Sequence, residues 1–280
     1  MTAAELEARW AERVRANREQ VDRVREVPDG PDFYGPVTSL FVADPRRTDE
    51  PVLDRLRELV EPGETWLDIG AGAGRYALPL ALITGEVIAI DPSVSMLAAL
   101  HDQADELGIA NVRSLEGRWP PNHELRGALG AFPAADVSLI AHVGYDIEAI
   151  GPFLDAMEQA TRRMCVAVLM ERQPASAADP FWPRVHREAR VPLPALAEFV
   201  ALVRARGRHA SVAELPREPR EFDSRDELAG FVRRQLWIAD GGEKERRFHD
   251  ALDDLVEGDG HFRLAGQAPS AVGVVTWAPR

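Results

Sequence analysis

The 280-residue sequence has one cysteine, one lysine and no long apolar run, and each shortage excludes something. The lone Cys165 forms no internal disulfide and builds no thiolate zinc site; its setting in "MCVAVLM" is that of a packed strand residue. Without a stretch of about 18 apolar residues, no membrane span is expected. The N-terminus opens on mixed charge where a secretory signal needs a basic region and then an apolar core, which points to a cytoplasmic protein. None of the seven histidines falls in HExxH or another close ligand spacing, so no metal is expected. Positive charge is scarce as well: 33 Lys and Arg face 46 Asp and Glu, for a formal charge of −13, and Lys244 is the only lysine. Nucleic-acid binding draws its affinity from cations on phosphates, so DNA and RNA are disfavoured as partners. What remains, 45% apolar and 28% charged residues, suits a globular chain long enough to bury a sizeable core.

From Glu5 to Val27 the apolar residues Leu6, Trp10, Val14, Val21, Val24 and Val27 recur at helical spacing, which predicts a packing helix. "VPDGPDFYGPVTSLF" then breaks helical continuity. Short apolar runs alternate with helical patterns from there on: "TWLDIG", "EVIAID", "NVRSLEG", "ADVSLIAHV" and "MCVAVLME" read as strands, with helices between most of them. That rhythm is the βαβ signature of a parallel sheet covered on both faces. Beyond Glu171 it changes. "QPASAADPFWPRVHREARVPLP" is an irregular excursion, followed by a helix "ALAEFVALVRARG", a strand "HASVAEL", a helix opening on the Ser224 and Glu227 capping-box spacing, and a closing strand "AVGVVTW". The expected organisation is an N-terminal helical segment over residues 1–50, a Rossmann-like core over 51–172, and a remainder over 173–280 that completes the sheet and adds helical insertions on the substrate side, all in one unit.

In "WLDIGAGAGRYALPLA" three glycines stand at alternate positions, Gly70, Gly72 and Gly74, between a strand and a helix. Glycine there lets a ligand approach the backbone closely, beside the exposed N–H groups of the helix start. About twenty residues on, Asp91 in "VIAIDPS" ends the next strand, where a carboxylate accepts hydrogen bonds from both hydroxyls of a ribose. The dinucleotide pattern G-x-G-x-x-G would need glycine where Arg75 stands, and Asp68, two positions before the first glycine, would repel a pyrophosphate. A carboxylate there suits a cation, and S-adenosylmethionine combines an adenosine with a positive ammonium and sulfonium and has no phosphate.

On these residues the sequence resembles the class I S-adenosylmethionine-dependent methyltransferases: "LDIGAGAGRYALPLA" is similar to their first motif, "VIAIDPSVSML" to the second, and "DVSLIAHVGYD" to the fourth-strand segment facing the transferred methyl group. The resemblance covers residues 52–171. It implies a seven-stranded, mostly parallel α/β sheet of order 3-2-1-4-5-7-6, strand 7 antiparallel, with helices on both faces. It implies S-adenosyl-L-methionine as cofactor, held by Asp68, Gly70, Ala71, Gly72, Gly74, Arg75, Asp91, Pro92, Met96 and Ala141. Many members carry an acid after the glycine that follows the third strand; "LEGRWP" has Arg118 instead, so Glu116, Gly117, Arg118 and Trp119 are the candidates for the adenine contact.

Methyl transfer is an in-line displacement that needs alignment and exclusion of water more than a metal or a covalent intermediate. A hydroxyl acceptor would add a base. His142 and Tyr145 in "HVGYD", beside Asp146, follow the fourth strand at the edge where α/β sheets bind ligands, and Tyr34 in the N-terminal segment is an alternative. Trp182 and His186 either line a substrate pocket or lie on the surface. "HVGYD" lacks the Asn-Pro-Pro-Tyr signature of adenine-amino methyltransferases, which favours a small-molecule acceptor. The other readings are a non-catalytic cofactor-binding regulatory or structural protein and, less favoured because of Asp68 and Arg75, a nucleotide-dependent oxidoreductase.

Overall fold

Parallel strands covered on both faces are rich in apolar runs, and four such strands, with a more polar edge strand beside them, make up the parallel part of the computed structural model, which describes residues 1–28, 32, 38, 41–267 and 269–280. They are β1 (Thr65–Ile69), β2 (Glu86–Asp91), β3 (Val112–Glu116), β4 (Ala135–Ala141) and β5 (Thr161–Met170). The seven-stranded sheet has the order β3-β2-β1-β4-β5-β9-β6, where β6 is Ser211–Arg217 and β9 is Ser270–Trp277. The pairs among β1 to β5 are parallel, and β9 is antiparallel to both β5 and β6. This is the anticipated order, with β9 as the antiparallel strand. β6 carries Pro216 and exposed Glu214 and Arg217, as an edge strand tolerates.

One face of the sheet is covered by α2 (Pro51–Arg57), α3 (Ala77–Ala81) and α4 (Val94–Leu107), which share a core with Trp66, Val87, Val168 and Val274. On the other face lie α1 (Ala3–Val24), α5 (His123–Leu129), α6 (Ile150–Gln159) and α8 (Leu196–Ala205), packed on Leu67, Ile140, Phe153 and Phe199. Alternate residues of each strand feed the two cores, which is why both had to be apolar. β5 starts three residues earlier than the sequence pattern suggested, because buried Thr161 is already paired with Ala135.

α1 begins at a capping box formed by Thr2 and Glu5 and buries Trp10, Val14 and Val24. Polar residues of its buried face hold the excursion that follows β5. The Gln20 side chain donates to the Ala189 carbonyl (2.8 Å) and accepts from the Val191 N–H (2.7 Å), while Arg13 donates to the Leu193 carbonyl (3.0 Å). Trp10 Nε1 donates to the Ile147 carbonyl at 3.0 Å, tying the same helix to the loop after β4. An irregular segment thus gains fixed partners from a helix more than 160 residues away in sequence.

A third apolar cluster lies apart from the sheet. It joins α7 (Trp182–His186), α9 (Arg225–Arg234), α10 (Glu243–Leu255) and the small hairpin of β7 (Val256–Glu257) and β8 (Arg263–Leu264) around Phe181, Trp182, Leu228 and Phe248. Trp182 is fully buried here and stacks near His186, with ring centroids 4.4 Å apart. The expectation that Trp182 lines a pocket or lies on the surface is therefore corrected: its large apolar area is better removed from water inside this satellite core. α10 had not been anticipated, because only Phe248, Ala251 and Leu252 of its thirteen residues are buried and the rest of it is charge-rich.

Candidate active site

The site is built at the carboxyl edge of β1 and β2. After Ile69 the N–H groups of Gly70 and Ala71 both donate to the Ile90 carbonyl (2.7 and 3.0 Å), turning the chain over the end of β2. Gly70 and Gly72 have φ of +80° and +55°, in the left-handed region. A Cβ at Gly70 would lie 2.5 Å from Val143 Cγ2, so only glycine lets this loop approach the loop after β4. At Gly72 a Cβ would meet no described residue nearer than Met96 Sδ at 4.0 Å, which leaves space over the backbone.

Asp91 closes the turn. Its Oδ2 accepts from the Gly72 N–H and its Oδ1 from the Ser93 N–H, each at 2.9 Å. A carboxylate oxygen has room for two donors, so each oxygen keeps capacity for a hydroxyl. Burial raises the Asp91 carboxyl above its usual range, opposed by the two backbone N–H groups. Asp68 is 2% exposed, and its Oδ1 has no hydrogen-bond partner among the described residues. Burial, and after it the charge of Asp91, push the Asp68 carboxyl up to about 7. An orphaned buried carboxylate beside an open glycine backbone fits the donor chemistry of a cationic ligand. Asp68, Gly72 and Asp91 therefore fit the ammonium, methionine chain and ribose of S-adenosylmethionine.

Asp32 was missed by the sequence reading. Its carboxylate accepts from Ser93 Oγ (2.9 Å), Ser95 Oγ (2.6 Å) and the Ser95 N–H (3.3 Å), docking on the first turn of α4, and its charge bears on Asp91. Ser93 is the N-cap of that helix and accepts from the Met96 N–H at 3.2 Å. A contact spanning 61 residues leaves no local signal; the only hint was the irregular "DFYGP" stretch. Tyr34, the candidate drawn from that stretch, lies outside the described residues.

The remaining cofactor candidates fall around this turn. Glu116 is in register with Asp91, and the Gly117 N–H donates to the Asp91 carbonyl at 3.1 Å. Arg118 acts on Asp91 through its charge, and Pro92 is exposed beside it. Trp119 Nε1 donates to the Phe153 carbonyl at 3.2 Å, so that side chain is engaged in packing. Ala141 ends β4, half-buried. The Arg75 guanidinium pairs with Glu50 (2.8 Å), whose carboxylate also binds Arg47 Nε (2.7 Å) and the Tyr76 hydroxyl (2.8 Å). Arg75 thus frames the cleft from a network the sequence did not reveal.

His142 follows β4 at φ +59°, with its N–H donating to the Val168 carbonyl at 2.8 Å. Its ring centroid is 6.3 Å from that of Tyr76, and its buried Nδ1 has no partner among the described residues. Burial, then the charges of Arg217 and Arg75, push the imidazole down to about 4. At neutral pH it is therefore an uncharged ring able to accept a hydrogen bond but weakly basic. Tyr145 turns away from this role. Its ring is 4% exposed and its hydroxyl accepts from the Met170 N–H at 2.7 Å, anchoring the loop to the end of β5, and burial raises its phenol. The Tyr145 hydroxyl thus serves as a tie between this loop and β5.

Comparisons with known proteins bear on the domain and on the fold. Residues 67–162 match the family model described as a methyltransferase domain. Among solved structures, the YcgJ protein of Bacillus subtilis superposes with a TM-score of 0.53 at 18% identity, covering 81% of this chain and 98% of that one. A candidate methyltransferase of Bacillus halodurans superposes with a TM-score of 0.56 at 10% identity, covering 81% and 99%. These show the fold. In sequence, the chain is 37% identical over 71 residues to the ribosomal RNA small subunit methyltransferase G of Chlorobaculum tepidum; the match is 25% of this chain and only 31% of the relative's length. Residues 67–162 thus carry a methyltransferase domain, on a sheet whose strand order and acid-flanked glycine turn are those expected from the resemblance to the class I S-adenosylmethionine-dependent methyltransferases.

Proposed function

We propose that the chain transfers the methyl group of S-adenosylmethionine to a small-molecule acceptor held at the carboxyl edge of β4 and β5, and that it does so in the cytoplasm. The observation that carries the reading is the pair of buried acids, Asp68 with an unpartnered oxygen and Asp91 with one N–H on each oxygen, on either side of the open Gly72 backbone. When bound, the cofactor supplies an electrophilic methyl on a sulfonium. The protein's part is to align and to exclude water: Asp68 would hold the ammonium and Asp91 the ribose hydroxyls, with the Gly70 turn leaving room for the methionine chain between them. Alignment of this kind can supply about 7 to 11 kcal/mol of a barrier. With its ring held neutral, His142 orients the acceptor by accepting a hydrogen bond, and takes a proton only from a group that is losing it in the transition state.

A small acceptor is favoured over RNA by the formal charge of −13. The ribosomal RNA relative speaks for the other possibility, through a quarter of the chain. A thermal-shift series with S-adenosylhomocysteine, NADH and ATP tests the cofactor site. S-adenosylhomocysteine at about 100 times its dissociation constant should add roughly 2.7 kcal/mol of apparent stability. Stabilisation by NADH alone refutes the reading. A following acceptor screen should include stripped small ribosomal subunits beside small molecules; transfer to the RNA alone would replace the small-molecule reading, and binding without turnover on any acceptor would favour a regulatory protein.

A further inference from the structure

The acceptor side of the cleft is basic, in a chain that is acidic overall. β6 is antiparallel to β9 and β9 to β5, so β6 runs with β5 and its last residue, Arg217, stands at the carboxyl edge, in register with Ser270. Ala213 and Leu215 pack into the core on the α2 face. Arg217, next in that alternation, rises on the same face. α2 leads into β1 from the opposite edge, so its N-cap residue Glu50 also lies at the carboxyl edge, where it is consumed by Arg47, Arg75 and Tyr76. Three residues beyond Arg217, the Arg220 guanidinium sits 5.0 Å from the ring centroid of Phe222 and 4.8 Å from that of Phe231, which hold it in place by their faces.

The three guanidinium groups share one field. The charges of Arg217 and Arg75 both act on His142, that of Arg217 acts on Tyr145, and those of Arg217 and Arg75 both oppose the charge of Arg220. Among the acids nearby, Glu50 is already paired, Glu227 acts on Arg220 from a distance, and Glu218 and Glu221 are exposed. Arg217 and Arg220 form no ion pair among the described residues, although most arginines of this chain do. Converging unpaired cations repel one another, and an anion between them relieves that repulsion while gaining charge-assisted hydrogen bonds.

We propose that the methyl acceptor is an anion whose carboxylate or phosphate is bound by Arg217 and Arg220, with Arg75 framing the cleft, so that its nucleophilic atom faces His142. What the anion does there rests on the methyltransferase reading; that it binds there does not. The proposal makes Arg217 a residue that selects the acceptor, and it predicts that neutral analogues of a true acceptor are poorly used.

The experiment is calorimetric titration with inorganic pyrophosphate and with benzoate at constant ionic strength, with and without S-adenosylhomocysteine. At least one anion should bind the wild type, and Arg217→Gln should weaken it by about tenfold or more with the affinity for S-adenosylhomocysteine unchanged; Arg217→Lys should retain part. Because Arg217 is exposed, its replacement leaves the core intact, whereas Arg220→Ala also removes a ring contact and serves as a second variant. Absence of anion binding in the wild type, or equal affinity in Arg217→Gln, overturns the proposal. Pyrophosphate binding that depends on Arg217 in a protein that ignores S-adenosylhomocysteine would uphold the anion site and refute the methyltransferase reading instead. Acceptor pairs of matched acid and amide then distinguish carboxylate from phosphate recognition by KM, the acid or phosphate ester being favoured by at least about tenfold.

Discussion

Replacing Asp68 by asparagine separates what this residue costs the fold from what it contributes to binding. Its carboxyl is raised from an ordinary 3.8 to about 7, chiefly by burial and secondarily by Asp91. A raised folded-state value means that the folded protein holds the proton more tightly than the unfolded chain. The associated stability is complete below about pH 4 and is lost as pH rises through 7. Above pH 7 the native state carries a buried charge with an unpartnered oxygen, a cost on the order of 4 kcal/mol, since each tenfold change in proton affinity is worth about 1.4 kcal/mol. The asparagine side chain would be neutral throughout. Measured by urea denaturation without ligand, the Asp68→Asn variant should gain on the wild type by about 2 kcal/mol between about pH 5.5 and pH 8, a Tm difference on the order of 5 °C. It should at the same time lose S-adenosylhomocysteine affinity by roughly one to two powers of ten, since a hydrogen bond to a charged group is worth about 1.5 to 3 kcal/mol. Wild-type affinity should rise over the same pH interval, because the ammonium binds the ionised form. A stability gap that does not change with pH would show that Asp68 is satisfied within the protein and would remove the cation-site argument.

Asp91→Ala should lower S-adenosylhomocysteine affinity by roughly one to two powers of ten while the chain remains folded; an unchanged dissociation constant by calorimetry would reduce Asp91 to a tie between the Gly72 and Ser93 N–H groups. Once an acceptor is known, His142→Ala should lower kcat by at least about tenfold at saturating cofactor, less than the roughly 10² to 10⁴ of a full general base because the ring is weakly basic, with cofactor affinity unchanged. His142→Gln should recover part of the loss, as expected of an imidazole held neutral, and full activity of the alanine variant would leave alignment alone as the mechanism.

The parallel core was legible because its physics is local. "VIAID" and "VSLIA" are apolar at successive positions, which only a strand buried on both faces requires, and the alternation with helices implied right-handed crossovers in one sheet. The glycine turn was legible too, since positive φ at Gly70, Gly72 and Gly74 leaves a mark in composition itself, and so were Asp68 and Asp91, placed by spacing from it. α10 and the satellite core were not, because a helix with three buried residues carries little apolar period, and Trp182 read equally well as pocket or surface.

What the sequence alone determined, then, was the parallel sheet and the glycine turn between Asp68 and Asp91, the motif on which the expectation of S-adenosylmethionine rests. Only the tertiary structure decided which side chains meet at the carboxyl edge of the sheet. Asp32 reaches Ser93 across 61 residues, Glu50 joins Arg75 across 25, Tyr145 is occupied by the Met170 N–H, and Arg217 meets the field of His142 from another strand. Coulombic and hydrogen-bonding partnerships depend on distance in space, and the elements that bring these partners together lie 25 or more residues apart along the chain.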